Sequence, residues 1–458
     1  MMSTTSVKIQ HRCLACGSEL SEPLFTLPNM PAGAQSMPTE AELETDKGVK
    51  LPLCRCPKCG LVQFDCEPVD YYRDAIRVVG LSETMKELRR ADYRLLIDKY
   101  ACGGKKWLEC GCGNGDFLKV LAEFDVDIYG TEHGEREYLD AVQKLCIEGN
   151  VPGPHIMRLF PDSAALDIQG APFDVFCSFN FLEHQPDPKS MLGCIYRNLA
   201  DGGYGIITVP SFEYIIGEGR YYELVRDHIA NYDIYAISQL CESCGFEVLE
   251  SGFIGIGDTI RLIVRKRAAN SGVIGIEKSI GPEEAGILNK SADSICGAAK
   301  KADMTPGDKQ VKAVSDENAA LDAYGTKELP PMDVSALSID YERMSTELAG
   351  YMGDLARKGR SAALWGAGHQ GFTIASTTAL GSNVKYIIDS SPKKQGRFAP
   401  ASHLRIVSPD EYFKDPVDVI IIAAPGYVRE IEQSIRERYK DTKVGVPAIC
   451  SILDLTEQ

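Results

Sequence analysis

The sequence predicts an α/β protein with two doubly wound, largely parallel sheets and a metal-binding module in front of them. Three observations predict it. Apolar strand patterns alternate with helical ones from about residue 106 to residue 264, and a second such series starts near Lys358. Glycine-rich turns follow the first strand of each series. Two Cys-x-x-Cys-Gly units stand in the first 60 residues.

Composition fits this reading. The 458 residues are 44% hydrophobic and 25% charged, as in ordinary globular proteins, and enough for about three domains. Lys and Arg number 49 against 65 Asp and Glu, a net charge of −16. So acidic a chain lacks the electrostatic footprint of a nucleic-acid binder. The amino-terminal stretch has no apolar signal core, and no apolar run approaches the roughly 18 residues of a membrane span. A cytoplasmic location is expected. The 16 cysteines then suit reduced thiols and a metal site better than a disulfide framework.

In chain order, Cys13, Cys16, Cys56 and Cys59 come first. Each pair sits in a tight turn closed by glycine, Gly17 or Gly60. Such knuckles bring two thiolates each to one ion, and four thiolates leave no open position, so a structural Zn2+ is expected. Cys54 is surplus to that set. An inserted loop, Pro28 to Lys50, separates the knuckles.

Residues 84–100 read as an amphipathic helix. The strand at Lys106–Cys110 then runs into Glu109-x-Gly111-x-Gly113-x-Gly115 and a short helix. Glycines there let backbone approach a ligand, and the helix start offers N–H donors. The next strand ends in Glu132, an acid able to accept from both ribose hydroxyls. Dinucleotides and S-adenosylmethionine (SAM) share this geometry. Further strands are expected at 174–179, 204–209, 246–249 and 259–264. The helical Cys241-x-x-Cys244 pair reads as packing rather than as a second metal site. Residues 266–323 hold no aromatic residue and little material for a core, so they read as a linker or loose insertion. The second series brings strands at 361–365, 384–389, 417–423 and 444–447, with Gly366-x-Gly368-x-x-Gly371 after the first and Asp389 ending the second.

The Glu109 to Gly115 turn resembles the first motif of class I SAM-dependent methyltransferases. Glu109 suits the amino-acid end of SAM and sits poorly beside a pyrophosphate. Phe173 to His184, ending Asn180-Phe181-Leu182-Glu183-His184, resembles the fourth-strand motif lining the methyl site, and Ala200-Asp201-Gly202-Gly203 resembles the turn that follows it. The resemblance implies Glu109, Gly111, Gly113, Gly115, Glu132 and Asn180 as cofactor-binding residues. The wider layout, with Asp389-Ser390-Ser391-Pro392-Lys393-Lys394-Gln395-Gly396, resembles the sugar C-methyltransferases, which act on nucleotide-linked keto-deoxysugars. It implies a zinc-binding module at 1–75, a class I methyltransferase Rossmann-like domain at 76–268, a linker or insertion at 269–340 and a second, carboxy-terminal Rossmann-like domain at 341–458 that frames the substrate cleft.

That family's catalytic stretch corresponds to Val225 to Asp233. A histidine stands at His228 and an acid at Asp227, while two tyrosines of the pattern are Val225 and Asn231 here. Methylating carbon beside a ketone needs a base, donors for the enolate, and in-line attack on the SAM methyl. The resemblance makes His228 the expected base, with Asp227 orienting it or binding a sugar hydroxyl, and His184 the second candidate. Tyr71-Tyr72-Arg73 could reach the same site. The expected partner is a small nucleotide-linked sugar, with no nucleic acid or membrane; oligomeric state is not legible. Methylation of another small metabolite at N, O or C, a non-catalytic SAM- or NAD-sensing protein, and a dehydrogenase stay open as alternatives.

Overall fold

A computed structural model describes residues 5–6, 10–73, 82–149, 151–152, 155–268, 329–424, 427–440, 446–452 and 454–455. The chain divides into two compact units, residues 1–266 with 329–458, and residues 267–328. The elements below belong to the first. Most of the stretch read as a linker lies outside the described residues, although the long helix Ser335–Arg357 starts within its expected bounds.

The amino-terminal module contains β1 (Thr5–Ser6), β2 (Phe25–Met30), β3 (Val49–Arg55) and β4 (Val62–Phe64). β2, β3 and β4 form an antiparallel meander, with β1 parallel to β3. The insertion expected between the knuckles is thus partly strand: its ends belong to β2 and β3, and only its middle is loop. Leu27, Leu51, Leu53 and Phe64 are fully buried, so the module has a true core beside its cysteines.

The central sheet is built from β5 (Lys106–Cys110), β6 (Asp127–Glu132), β7 (Ile156–Arg158), β8 (Phe173–Phe179) and β9 (Leu199–Pro210), and from β11 (Phe246–Ile254) and β12 (Thr259–Lys266). Its order is β11-β12-β9-β8-β5-β6-β7. Only β12 runs against its neighbours, pairing antiparallel with both β9 and β11. The three-residue edge strand β7 is too short to show in the sequence pattern. The chain switches direction around β5, so the carboxyl ends of β5, β6 and β8 open on one crevice, where such sheets take ligands. The remaining strand, β10 (Ala230–Asn231), leaves this sheet and pairs antiparallel with β4.

The third sheet holds β13 (Ala362–Trp365), β14 (Ile387–Ile388), β15 (Ile406–Val407), β16 (Val419–Ile422) and β17 (Ala448–Ser451), all parallel, in the order β15-β14-β13-β16-β17. The last strand starts just after Pro447, not at 444–447 as the apolar pattern suggested. Proline has no N–H for the ladder, so pairing begins at Ala448. Residues 444–445 lie outside the described residues.

The helix Glu83–Tyr100 backs the central sheet. Ser82 caps it by accepting from the Met85 N–H, and Ala101 ends it in the left-handed region at φ 53°. Its inner face carries a buried ion cluster. Arg89 and Asp92 are 1% and 2% exposed and pair at 2.7 Å, and Arg261 reaches the second Asp92 oxygen at 3.1 Å. The Arg89 guanidinium lies 3.8 Å from the Phe179 ring centroid. Removing one partner of a buried pair strands the other charge. Asp92→Ala should therefore lower unfolding stability by about 3–5 kcal/mol, read from urea midpoints. A loss below about 1 kcal/mol, the range of exposed pairs, would disprove the assignment.

Candidate active site and cysteine cluster

The four knuckle cysteines meet. Their sulfur atoms lie within 4.8 Å of one another, with Cys13 to Cys59 and Cys16 to Cys56 each at 3.4 Å. A zinc ion with bonds of about 2.3 Å sets tetrahedral sulfurs roughly 3.8 Å apart, so the spacing fits. Gly17 and Gly60 take φ of 70° and 79°, and their N–H groups bond back to the Cys13 and Cys56 carbonyls. The Cys56 sulfur accepts from the N–H groups of Lys58 and Cys59. The cluster favours one thiolate: Cys56 is pulled far down by its thiol and N–H donors, while Cys13 is pushed up to about 12. A divalent cation would let all four ionise. Cys54 is buried on β3, outside the cluster. Cys241 is fully buried on the helix Ile234–Ser243.

The glycine-rich turn follows β5. Gly111, Gly113 and Gly115 take φ of 71°, 52° and 78°, and a Cβ on Gly111 would lie 2.6 Å from the Phe181 ring. Glycine is therefore required there on both counts. Glu109 is the penultimate residue of β5 rather than part of the turn. It is 2% exposed, and its Oε2 has no hydrogen-bond partner. Burial pushes its carboxyl up to about 8, with the Arg89 charge working against that rise. Glu132 ends β6 and accepts from the Gly113 N–H at 2.9 Å and the Gly134 N–H at 2.8 Å. Each of its oxygens keeps a second lone pair for a ribose hydroxyl. Asn180 is exposed just past β8, at φ 47°, where its Oδ1 accepts from the Thr208 hydroxyl. A buried acid with one oxygen unpartnered, beside a turn shorn of side chains, could hold the ammonium end of SAM, and Glu132 its ribose.

The expected catalytic residues lie on two segments. His184 ends the single turn Leu182–His184 after β8, and His228 precedes β10. Their ring centroids are 4.8 Å apart, nearly edge-to-face. The His184 Nδ1 lies 2.7 Å from the Asp227 carbonyl oxygen, which can only accept, so that nitrogen carries the proton. Burial holds both rings below the usual histidine range, His184 at about 4. The Asp227 carboxylate faces the amino-terminal module: it accepts from the Ala34 N–H at 2.8 Å and from the Tyr71 hydroxyl at 2.6 Å. It thus orients Tyr71 and the loop, while its carbonyl orients His184. Arg226 donates to the carbonyls of Ala32 and Glu67.

Sequence reasoning gave no role to Glu183 or Arg226. Glu183 is 1% exposed, neither carboxylate oxygen has a hydrogen-bond partner, and burial pushes it up to about 8. Its only sequence signal was its place beside His184.

In the third sheet, Asp389 accepts from the Ala367 and Ser391 N–H groups and pairs with Lys394 at 3.2 Å. His369 and Gln370, at the start of the helix His369–Thr377, reach the Glu223 carboxylate of the central domain at 3.3 and 2.6 Å. This Gly-x-Gly-x-x-Gly turn therefore spends its acid inside the domain and its helix start on docking.

Two family models match the chain. One, described as a methyltransferase domain, covers residues 85–251; the other, described as a C-methyltransferase C-terminal domain, covers residues 294–447. The chain is 30% identical over 105 residues to a ubiquinone biosynthesis O-methyltransferase of Psychrobacter arcticus, covering 23% of this chain and 40% of that protein. It is 24% identical over 171 residues to a probable S-adenosylmethionine-dependent methyltransferase of Mycolicibacterium smegmatis, covering 37% of this chain and 63% of that one. The chain thus spans less than two thirds of each relative's length. Magnesium protoporphyrin IX methyltransferase from Synechocystis, solved with bound SAM, aligns at 15% identity and a TM-score of 0.32, covering 43% of this chain and 94% of that one. The central sheet is a class I SAM-dependent methyltransferase fold. Among the described residues no helix is long and apolar enough to cross a membrane.

Two outcomes follow from this geometry. Cys59→Ser should abolish retention of one tightly bound zinc per chain, measured by metal analysis, and lower the thermal midpoint; full zinc retention would rule out the four-thiolate assignment. The Glu109 carboxylate forms only as pH rises through about 8, and only the carboxylate attracts an ammonium. SAM affinity should therefore climb between pH 6 and 8, by up to about tenfold per unit, and be weak and flat in Glu109→Gln. Parallel calorimetric profiles for the two proteins would refute this.

Proposed function

We propose that the protein transfers the methyl group of SAM to a carbon of a nucleotide-linked keto-deoxysugar. The observation that carries this reading is the convergence of His184 and His228 beside the SAM turn. Phe181 lies over Gly111, so the loop bearing His184 sits directly on that turn. The C-methyltransferase description of the carboxy-terminal match supports carbon as the acceptor.

The chemistry runs in two steps. A neutral imidazole, His228 in this reading, takes the proton α to the ketone, and the C–H electron pair becomes the enolate. That carbon then attacks the SAM methyl, the S–CH3 bond breaks, and S-adenosylhomocysteine leaves. Burial keeps both rings neutral at pH 7, so a basic lone pair is ready without prior deprotonation. His184, fixed by the Asp227 carbonyl, presents its Nε2 lone pair to the same space. The low basicity that burial imposes makes donors to the enolate oxygen essential. The Tyr232 hydroxyl, buried and without a hydrogen-bond partner, is a candidate donor.

Four thiolates would hold Zn2+ in a purely structural role. The described cysteines are all free thiols, which suits a reducing cytoplasm. The similarity to ubiquinone biosynthesis O-methyltransferases favours one rival reading, transfer to oxygen of another small metabolite.

Incubation with SAM and a panel of nucleotide-linked keto sugars should release S-adenosylhomocysteine and give a product whose new methyl carbon couples to a ring carbon by NMR. His228→Ala should lower turnover at least about 100-fold, the scale of general-base catalysis, while SAM still binds. Near-normal turnover in that variant, or a product methylated on oxygen, would sink the reading.

A further inference from the structure

We propose that Glu183, His184 and His228 form a second cation site, distinct from the four cysteines, which takes one divalent transition-metal ion such as Zn2+ and thereby blocks the imidazole base. The site itself stands on geometry; the blocking effect rests on the function proposed above.

One ligand atom from each residue lies within 4.8 Å of the other two. Glu183 is 1% exposed, and no hydrogen bond reaches either of its oxygens. An unpartnered buried carboxylate is among the costliest arrangements in a protein interior. His184 is already set as a ligand. Its Nδ1–H donates to the Asp227 carbonyl at 2.7 Å, which leaves the neutral ring's lone pair on Nε2. That is the outer-sphere support by which proteins orient metal-binding histidines. The Nε2 lies 3.8 Å from Glu183 Oε1, so a lone pair faces an acceptor across a gap that a hydrogen bond does not bridge. The His228 ring stands against the His184 ring, 4.8 Å between centroids. Three ligand-type side chains meet here, two of them buried and His228 partly exposed, and a cation would satisfy all three together.

Two imidazoles and a carboxylate suit Zn2+, Fe2+ or Co2+ and offer little to Ca2+ or Mg2+. Bonds of about 2.0–2.1 Å require ligand atoms roughly 3.3 Å apart around a tetrahedral ion. Closure from at most 4.8 Å is then up to about 1.5 Å. Side-chain torsions of His228, on its own segment, can supply it. The competing resolution is a proton on Glu183, which needs no metal. A bound ion would occupy the nitrogen lone pairs that proton abstraction needs, so its effect on turnover is inhibition.

The test is a Co2+ titration of the full-length protein. The four-cysteine site gives intense thiolate-to-cobalt charge-transfer bands; the second site gives weak d–d bands alone. Wild type should take two equivalents. Glu183→Gln and His228→Ala, which lie on different segments, should each take one and keep the charge-transfer bands. Zn2+ in excess of the first equivalent should lower methyl transfer more than tenfold at unchanged SAM affinity, and the residual turnover of Glu183→Gln should not respond to it. A wild-type stoichiometry of one, or a second equivalent that persists in both variants, overturns the site. A rise in turnover with Zn2+ overturns the blocking role. Absence of turnover on every keto sugar condemns the proposed substrate and leaves the cobalt stoichiometry readable.

Discussion

The position of His228 depends on a strand that the central domain lends to its neighbour. β10 is only two residues long, Ala230–Asn231, yet it pairs with β4 in the cysteine module. β4 is the return arm of β3, and the second knuckle, Cys56 to Gly60, is the turn between them. Whatever closes the four thiolates therefore fixes β3 and β4, and through them the chain entering β10. Arg226 and Asp227 complete the hold. One donates to the carbonyls of Ala32 and Glu67, and the other accepts from Ala34 and Tyr71. The reach of the cysteine cluster into the candidate site is thus mechanical: it sets the frame against which the loop bearing His228 is pinned.

The loop between the knuckles binds in the other direction too. The Asn29 amide donates to the Ser376 carbonyl, the Phe398 N–H donates to the Pro38 carbonyl, and Asp46 meets the Ala401 N–H and His403. Glu223 of the central domain is held in turn by His369 and Gln370. Gly371 shows what the glycine motif is for here, since a Cβ at that position would lie 2.6 Å from the Gly366 carbonyl oxygen. The motif serves tight packing of helix on strand, one of the uses glycine has in such turns.

What was legible in the sequence was short in range. The knuckles, the glycine turn and the strand-ending acids each fit within a dozen residues, and each pattern names its own geometry. The apolar runs placed most strands of both sheets for the same reason. The two-residue β10 and three-residue β7 carry too little pattern to be seen, and the β17 boundary depended on one missing proline N–H. The surroundings of His228 were legible only in part: Tyr71 and Tyr72 were expected to reach this site, but the partners they meet there were not. Tyr71 meets Asp227 from 156 positions away, and Ala34 from 193. Asp227 was expected to orient His228 or to bind a sugar hydroxyl. It instead serves His184 with its carbonyl, and no side-chain pattern reports what a backbone oxygen will do.

Glu109 and Glu183 show why such a site is expensive to fold and useful once folded. Both are buried, both have an oxygen without a partner, and burial raises both to about 8. Neither is explained by stability, because a well-packed apolar residue would cost less in either place. Their remedies differ with their neighbours. Glu109 sits by a turn stripped of side chains, where an ammonium can approach from outside. Glu183 faces a histidine whose other nitrogen is already committed, so only a proton or a small cation can complete it. One physical condition, a buried carboxyl with an oxygen left unpartnered, would in the proposed reading draw the SAM ammonium at Glu109 and a proton or cation at Glu183.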